Sequence, residues 1–206
     1  VRRGTIGIVA ASGTGLQQVS CLIDAAGSGV SQAIGTGGRD LDSRIGGITT
    51  KRAITTLGAD PDTGVIVLIS KPPAPNVAAS VLEHAVATGK PVVACLLGHV
   101  PDGPGLPGVS YARTLEEAAH MAVTAAGGTM AATPGGLIDG PLPGLDADRR
   151  YLRALYSGGT FCYEALTMLG ETLDGVHSNT SSASTQTLND PWTSAANTVL
   201  DLGDDL

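Results

Sequence analysis

A chain of 206 residues has room for one domain of ordinary size and part of a second. Its formal net charge of −7 argues against the basic face that nucleic-acid binding needs. No apolar stretch reaches the ~20 residues of a membrane-spanning helix. With 42% hydrophobic residues, 3% aromatics and 29 glycines, arranged as short Val/Ile runs and Ala-rich stretches, the chain fits a wound α/β sheet better than a β-sandwich.

In chain order, strands are expected at 5–10, 30–34, 65–70, 92–97 and 109–112. Each is short and nearly continuously apolar, as strands covered on both faces are. Helical patterns follow at 15–26, 47–57, 74–88 and 114–126, with Gly27, Gly58 and Gly89 where helices would stop. Thr114-Leu115-Glu116-Glu117 reads as a capping box. Parallel strands with right-handed crossovers give a flavodoxin-like sheet over residues 1–127. Ligands of such sheets bind at the carboxyl ends of the strands, where "ASGTG", "GTGGRD", "SKPPAP" and "LLGHVPDG" form one rim. Residues 128–148 are dense in Gly and Pro and read as a linker. Residues 149–206 begin a second, incomplete α/β unit: "YLRALYSGGTFCYEALTML" is strand, turn and helix, 178–191 a polar loop, and "NTVLDLGDD" a last strand. A first residue of Val and the closing "LDLGDDL" suggest a fragment.

Two turns repeat one pattern. "IVAASGTGLQQV" and "RALYSGGTFCYEAL" both run from a strand through Ser-Gly, with Thr close behind, into a helix. Helix N-termini carry about half a positive charge and unpaired N–H groups. Two of them facing each other would hold one phosphoryl or carboxylate group. The candidate phosphate-binding residues are Ser12, Gly13, Thr14 and Gly15 in the first turn, and Ser157, Gly158, Gly159 and Thr160 in the second. The plainer alternative is that the hydroxyls only cap their helices.

"GTIGIVAASGTGLQQV", "QAIGTGGRDL", "LISKPP", "GVSYARTLEEAA" and "LYSGGTFCYEAL" resemble the FdrA-type branch of the succinyl-CoA synthetase (acyl-CoA ligase) superfamily. The resemblance covers nearly the whole chain. It implies two ligase-type α/β domains, and a phosphoryl group cradled by paired helix N-termini. The chain departs from the synthetases where they carry a phosphorylated histidine. Here that stretch is "LLGHVPDGPGLPGVSYA", with His99 outside the matching context, so a phosphohistidine relay is not expected. The third-strand loop, where the synthetases place an acid, reads Ser70-Lys71-Pro72-Pro73. An ATP-grasp segment is not recognisable, and the N-terminal CoA-binding-like domain of FdrA-type chains is read as missing. The resemblance implies carbamoyl or acyl transfer through phosphate, of the oxamate carbamoyltransferase kind in purine (allantoin) breakdown, together with partner subunits. Arg39 and Lys71 are the candidate catalytic residues, supplying positive charge where negative charge develops. Phosphate or carbamoyl phosphate is the expected ligand of this small-anion site, and CoA a further one. Two alternatives stay open: an acyl-CoA ligase, and a non-catalytic anion-binding regulatory subunit.

Cys162, in the first turn of a predicted helix, is either an activated thiol or a small buried residue. Cys21, Cys95 and Cys162 are odd in number and far apart. With no signal-peptide pattern, they read as reduced thiols of a cytoplasmic protein, not as a disulfide frame or zinc site. His84, His120 and His177 lack partners at ligand spacing. Asp201, Asp204 and Asp205 read as a solvated chain end, or as Mg²⁺ ligands. Asn179-Thr180-Ser181 fits a glycosylation sequon by chance.

Overall fold

The computed structural model describes residues 1–99, 101, 103–131, 146, 148–180, 182 and 185–203. The first sheet has five parallel strands in the order β2-β1-β3-β4-β5: β1 (Arg3–Ala10), β2 (Val30–Gly35), β3 (Val65–Ser70), β4 (Val92–Leu96) and β5 (Val109–Tyr111). This is the flavodoxin-like order the sequence implies. Helices α1 (Gly13–Ala25) and α4 (Leu115–Ala125) cover one face, and α2 (Ile48–Ala59) and α3 (Pro75–Val86) the other. The central strands β3 and β4 are buried along their whole length, as their uninterrupted apolar runs require. β2 and β5 lie at the sheet edges and are half-exposed, unlike the expectation that every strand is covered on both faces.

Local chemistry sets the helix ends. Ser12 caps α1, so the helix starts at Gly13, two residues before the expected Gly15. Gly58 does not end α2: the helix runs to Ala59, and a side chain at Gly58 would lie 2.8 Å from Thr88 Cγ2. That glycine serves close packing of α2 against the end of α3. Asp40 caps α2 from a distance, accepting from the N–H groups of Thr49 and Thr50 and the Thr50 hydroxyl. Burial raises the Asp40 carboxyl, but these bonds outweigh it and hold the group below the ordinary carboxylate value. In the capping box, Thr114 accepts from the Glu117 N–H, while Glu117 reaches back one residue further, to the Arg113 N–H.

A second sheet holds β6 (Arg153–Tyr156), β9 (Asn197–Asp201), β7 (Val176–Ser178) and β8 (Gln186–Thr187), all parallel and in that order. Helix α5 (Gly159–Gly170) packs on it around Cys162, Leu166, Val176 and Val199. β8 and the last residue of β7 fall in the stretch expected to be a plain loop. The Asn179 of the sequon is structural: its side chain accepts from the Asp201 N–H and donates to the Asp201 carbonyl. The expected linker lies mostly at 132–145 and 147, outside the described residues.

α5 also packs against the first sheet's helices. Phe161 and Tyr163 join the core under α1 and α4. Glu164 accepts from the Leu115 N–H at 2.6 Å, filling the N-terminus of α4, and Arg113 pairs with Glu171. Burial pushes the Glu164 carboxyl above its ordinary value, only partly countered by that N–H. A carboxyl raised on folding adds stability below its unfolded value, and that contribution is lost as pH rises through the folded value. Glu164→Gln keeps the acceptor and removes the charge. It is expected to melt higher than the wild type at pH 7, by about 2–4 °C for each kcal/mol gained. The difference should shrink toward pH 4. Thermal melts at the two pH values check this, and a gap that widens on acidification contradicts it.

Candidate functional site

Four strand ends converge on one place. β1 leads into Ser12–Gly15 at the start of α1, β3 ends at Ser70 and is followed by Lys71, β6 leads into Ser157–Thr160 at the start of α5, and β9 ends at Asp201. The two repeated turns meet there. Ser12 Oγ lies 2.5 Å from Thr160 Oγ1, with Ser12 6% and Thr160 2% exposed. Ser12 Oγ also accepts from the Gly15 N–H at 3.0 Å, so one hydroxyl both caps α1 and joins it to α5. Gly15 is wedged between the elements: a Cβ there would sit 2.7 Å from Ile69 Cγ2 and 3.4 Å from Thr160 Cγ2. Gly13 faces open space, and Gly158, at φ +154°, has only Thr14 Oγ1 near its missing side chain. The first N–H groups of α1 and α5 have no intrahelical acceptors.

Lys71 reaches this junction from β3. A side chain on Gly159 would collide with its ammonium and would lie 2.9 Å from Asp201 Oδ2. Lys71 also stands 5.8 Å from the centre of the Tyr163 ring. Among the described residues it forms no ion pair. Asp201 is not a solvated chain end: it is 1% exposed, and Oδ1 accepts from the N–H groups of Gly158 and Gly203. Asp201 therefore fixes the second turn, and its charge faces the same glycine as the Lys71 ammonium. Nothing local in the sequence marks this role. Its companions Asp204 and Asp205 lie outside the described residues. Among those described, no cluster of three His, Cys, Asp or Glu could hold a metal ion.

Arg39 lies apart from the helix pair, in the connection after β2. It lines a cleft of about 380 Å³ together with Gly38, Ser70, Lys71 and Pro72. It is exposed and does not pair with its neighbours: Asp40 caps α2, and Asp42 binds Arg44 at 2.9 Å. Ser157 belongs to the second turn, and its backbone is pressed by Gly203, whose Cβ would lie 2.8 Å from the Ser157 carbonyl carbon. Cys162 is fully buried, and burial pushes its thiol up despite hydrogen bonds to Thr180 and Ser178. It is the small buried residue, not an activated thiol. Cys95 is likewise buried, its thiol pushed up to about 12. His84 bonds Thr55, and His177 bonds the Gly175 carbonyl.

Residues 1–98 match the family described as CoA binding domain. The expectation that a CoA-binding-like domain is missing is therefore corrected: the first sheet itself carries the match. Over its whole length the chain is 44% identical, across 210 aligned residues, to the uncharacterized protein YahF of Escherichia coli (strain K12). It spans 41% of the length of that relative. No helix among the described residues is long and apolar enough to cross a membrane.

Proposed function

We propose that the junction of α1 and α5 binds a phosphate or acyl phosphate, and that the chain is part of an enzyme transferring a carbamoyl or acyl group through phosphate. The observation that carries this reading is the 2.5 Å contact of Ser12 with Thr160, which joins two helix N-termini beside one lysine. Each N-terminus favours negative charge, and Lys71 adds a full positive charge. Asp201 makes the lysine indispensable, because without it the second turn would present a bare carboxylate to an incoming anion.

The chemistry asks little general acid–base work of the protein. A phosphate oxygen adds to the carbonyl carbon and the bond to the leaving nitrogen breaks. The proton lost by the phosphate goes to that nitrogen. Charge grows on the carbonyl oxygen meanwhile, and Lys71 and Arg39 are the cations available to oppose it. The carbamoyl group itself rests on the resemblance to FdrA-type chains, as do partner subunits. A second reading, acyl-CoA ligation, is favoured by the CoA binding domain match over residues 1–98.

Thermal shift separates the two. A ligand at 100 times its dissociation constant stabilises by about 2.7 kcal/mol. Phosphate and carbamoyl phosphate are expected to raise the melting temperature. Stabilisation by CoA alone would favour the ligase reading, and no response to any of the three would overturn both.

A further inference from the structure

β9 ends on a carboxylate that its surroundings hold in place. Asn179 brackets the Asp201 main chain, accepting from its N–H at 2.9 Å and donating to its carbonyl at 2.7 Å. Oδ1 accepts from the N–H groups of Gly158, at 3.1 Å, and Gly203, at 3.0 Å. Oδ2 is different: among the described residues, nothing donates to it. Yet Asp201 is 1% exposed, so bulk water does not serve it. Oδ2 is aimed at the start of α5, 2.9 Å from where a Cβ on Gly159 would lie. Lys71 comes to the same glycine without forming an ion pair with the carboxylate. Native proteins leave few buried polar groups unpaired, and charged ones are the most costly to leave so.

This acceptor stands among donors. The first N–H groups of α1 and α5 and the Lys71 ammonium can only donate. They suit the ionised oxygens of an anion. A carboxylate can only accept, so Oδ2 would repel an ionised oxygen brought against it. It is satisfied by an anion that carries a hydrogen on one oxygen. Inorganic phosphate keeps at least one proton in both of its forms near neutral pH, whereas sulfate, of nearly the same size and shape, keeps none. Holding the second turn does not itself call for the charge. An asparagine at 201 could accept from Gly158 and Gly203 through its Oδ1 and add no repulsion.

We infer that Asp201 is a specificity-determining residue that selects the bound anion by its proton, with Oδ2 accepting from a hydroxyl of the oxyanion. The inference rests on the phosphoryl reading of the helix pair and adds to it a rule of admission. A phosphate sits with its hydroxyl toward Asp201 and its ionised oxygens toward the helix N–H groups. Fully ionised tetrahedral anions of the same size are turned away.

Calorimetric titration at neutral pH with inorganic phosphate, sulfate and monofluorophosphate tests this. Monofluorophosphate carries fluorine where phosphate carries its hydroxyl, and has no proton to give. Phosphate is expected to bind about 100-fold more tightly than either of the others, as loss of a charge-assisted bond implies. Asp201→Asn keeps the acceptor for Gly158 and Gly203 and offers an N–H donor in the place of Oδ2. It should bring sulfate and monofluorophosphate to within about tenfold of phosphate. A merely structural aspartate would weaken all three anions alike when replaced. Sulfate or monofluorophosphate binding as tightly as phosphate in the wild type overturns the inference, whether or not the variant folds. So does discrimination that survives unchanged in a folded Asp201→Asn. Either of these results leaves the phosphoryl reading standing, because phosphate still binds. If none of the three anions binds, the phosphoryl reading falls and the inference with it.

Discussion

Lys71→Ala is expected to lower phosphate affinity by about 100-fold. A hydrogen bond to a charged group contributes about 1.5–3 kcal/mol, and each 1.4 kcal/mol is tenfold in affinity. The loss should reach the upper part of that range, because removing the ammonium leaves the Asp201 carboxylate unopposed beside Gly159. Gly159→Ala gives an independent version of the same experiment. Its new methyl would occupy the space of the Lys71 ammonium, and only 2.9 Å would separate it from Asp201 Oδ2. Asp201 is buried and doubly bonded, whereas the end of a lysine is flexible, so the lysine is the group that moves. Both variants should fold and both should lose phosphate. Calorimetric titration reads the affinity, and wild-type binding in Lys71→Ala would remove the lysine from the site.

The second large effect concerns the seam itself. Ser12→Ala removes the cap of α1, worth about 1 kcal/mol, and leaves the Thr160 hydroxyl buried without its partner, at a further ~1–3 kcal/mol. Thr160→Val removes the other end at nearly constant volume. The double variant no longer strands either hydroxyl, so its loss of stability should be smaller than the sum of the two. Coupling of about 1–2 kcal/mol is expected from a contact of this kind. Denaturant unfolding of the four proteins measures it. Additive losses would mean that the two hydroxyls cap their own turns and do not join the two helices.

How much of this was legible in the sequence depended on the range of the interaction. β3 was read to the residue, Val65–Ser70, because an uninterrupted apolar run bounded by Gly and Pro leaves no other reading. The strand–turn–helix repeat pointed to Ser12 and Thr160 as residues of one site, and the fold brings them together. β7 and β8, of three and two residues, were missed because segments so short carry no periodicity. Asp201 and Ser70 were illegible for another reason. What makes Asp201 structural is the approach of Gly158 and Gly203, and what sets Ser70 apart is a buried hydroxyl with no hydrogen-bond partner among the described residues. Neither is a property of the neighbouring sequence. Arg39 and Lys71 stood out by charge alone, and only the fold showed that they share a cleft.

The most direct test of a phosphoryl anion at the helix junction is a two-dimensional ¹H–¹⁵N spectrum recorded during titration with inorganic phosphate. Binding as described should shift the amides of Gly13, Thr14, Gly159 and Thr160 together, on one saturation curve, and leave the opposite edge of the first sheet unchanged. Amides of both turns that stay in place at phosphate concentrations saturating any other site would contradict the account.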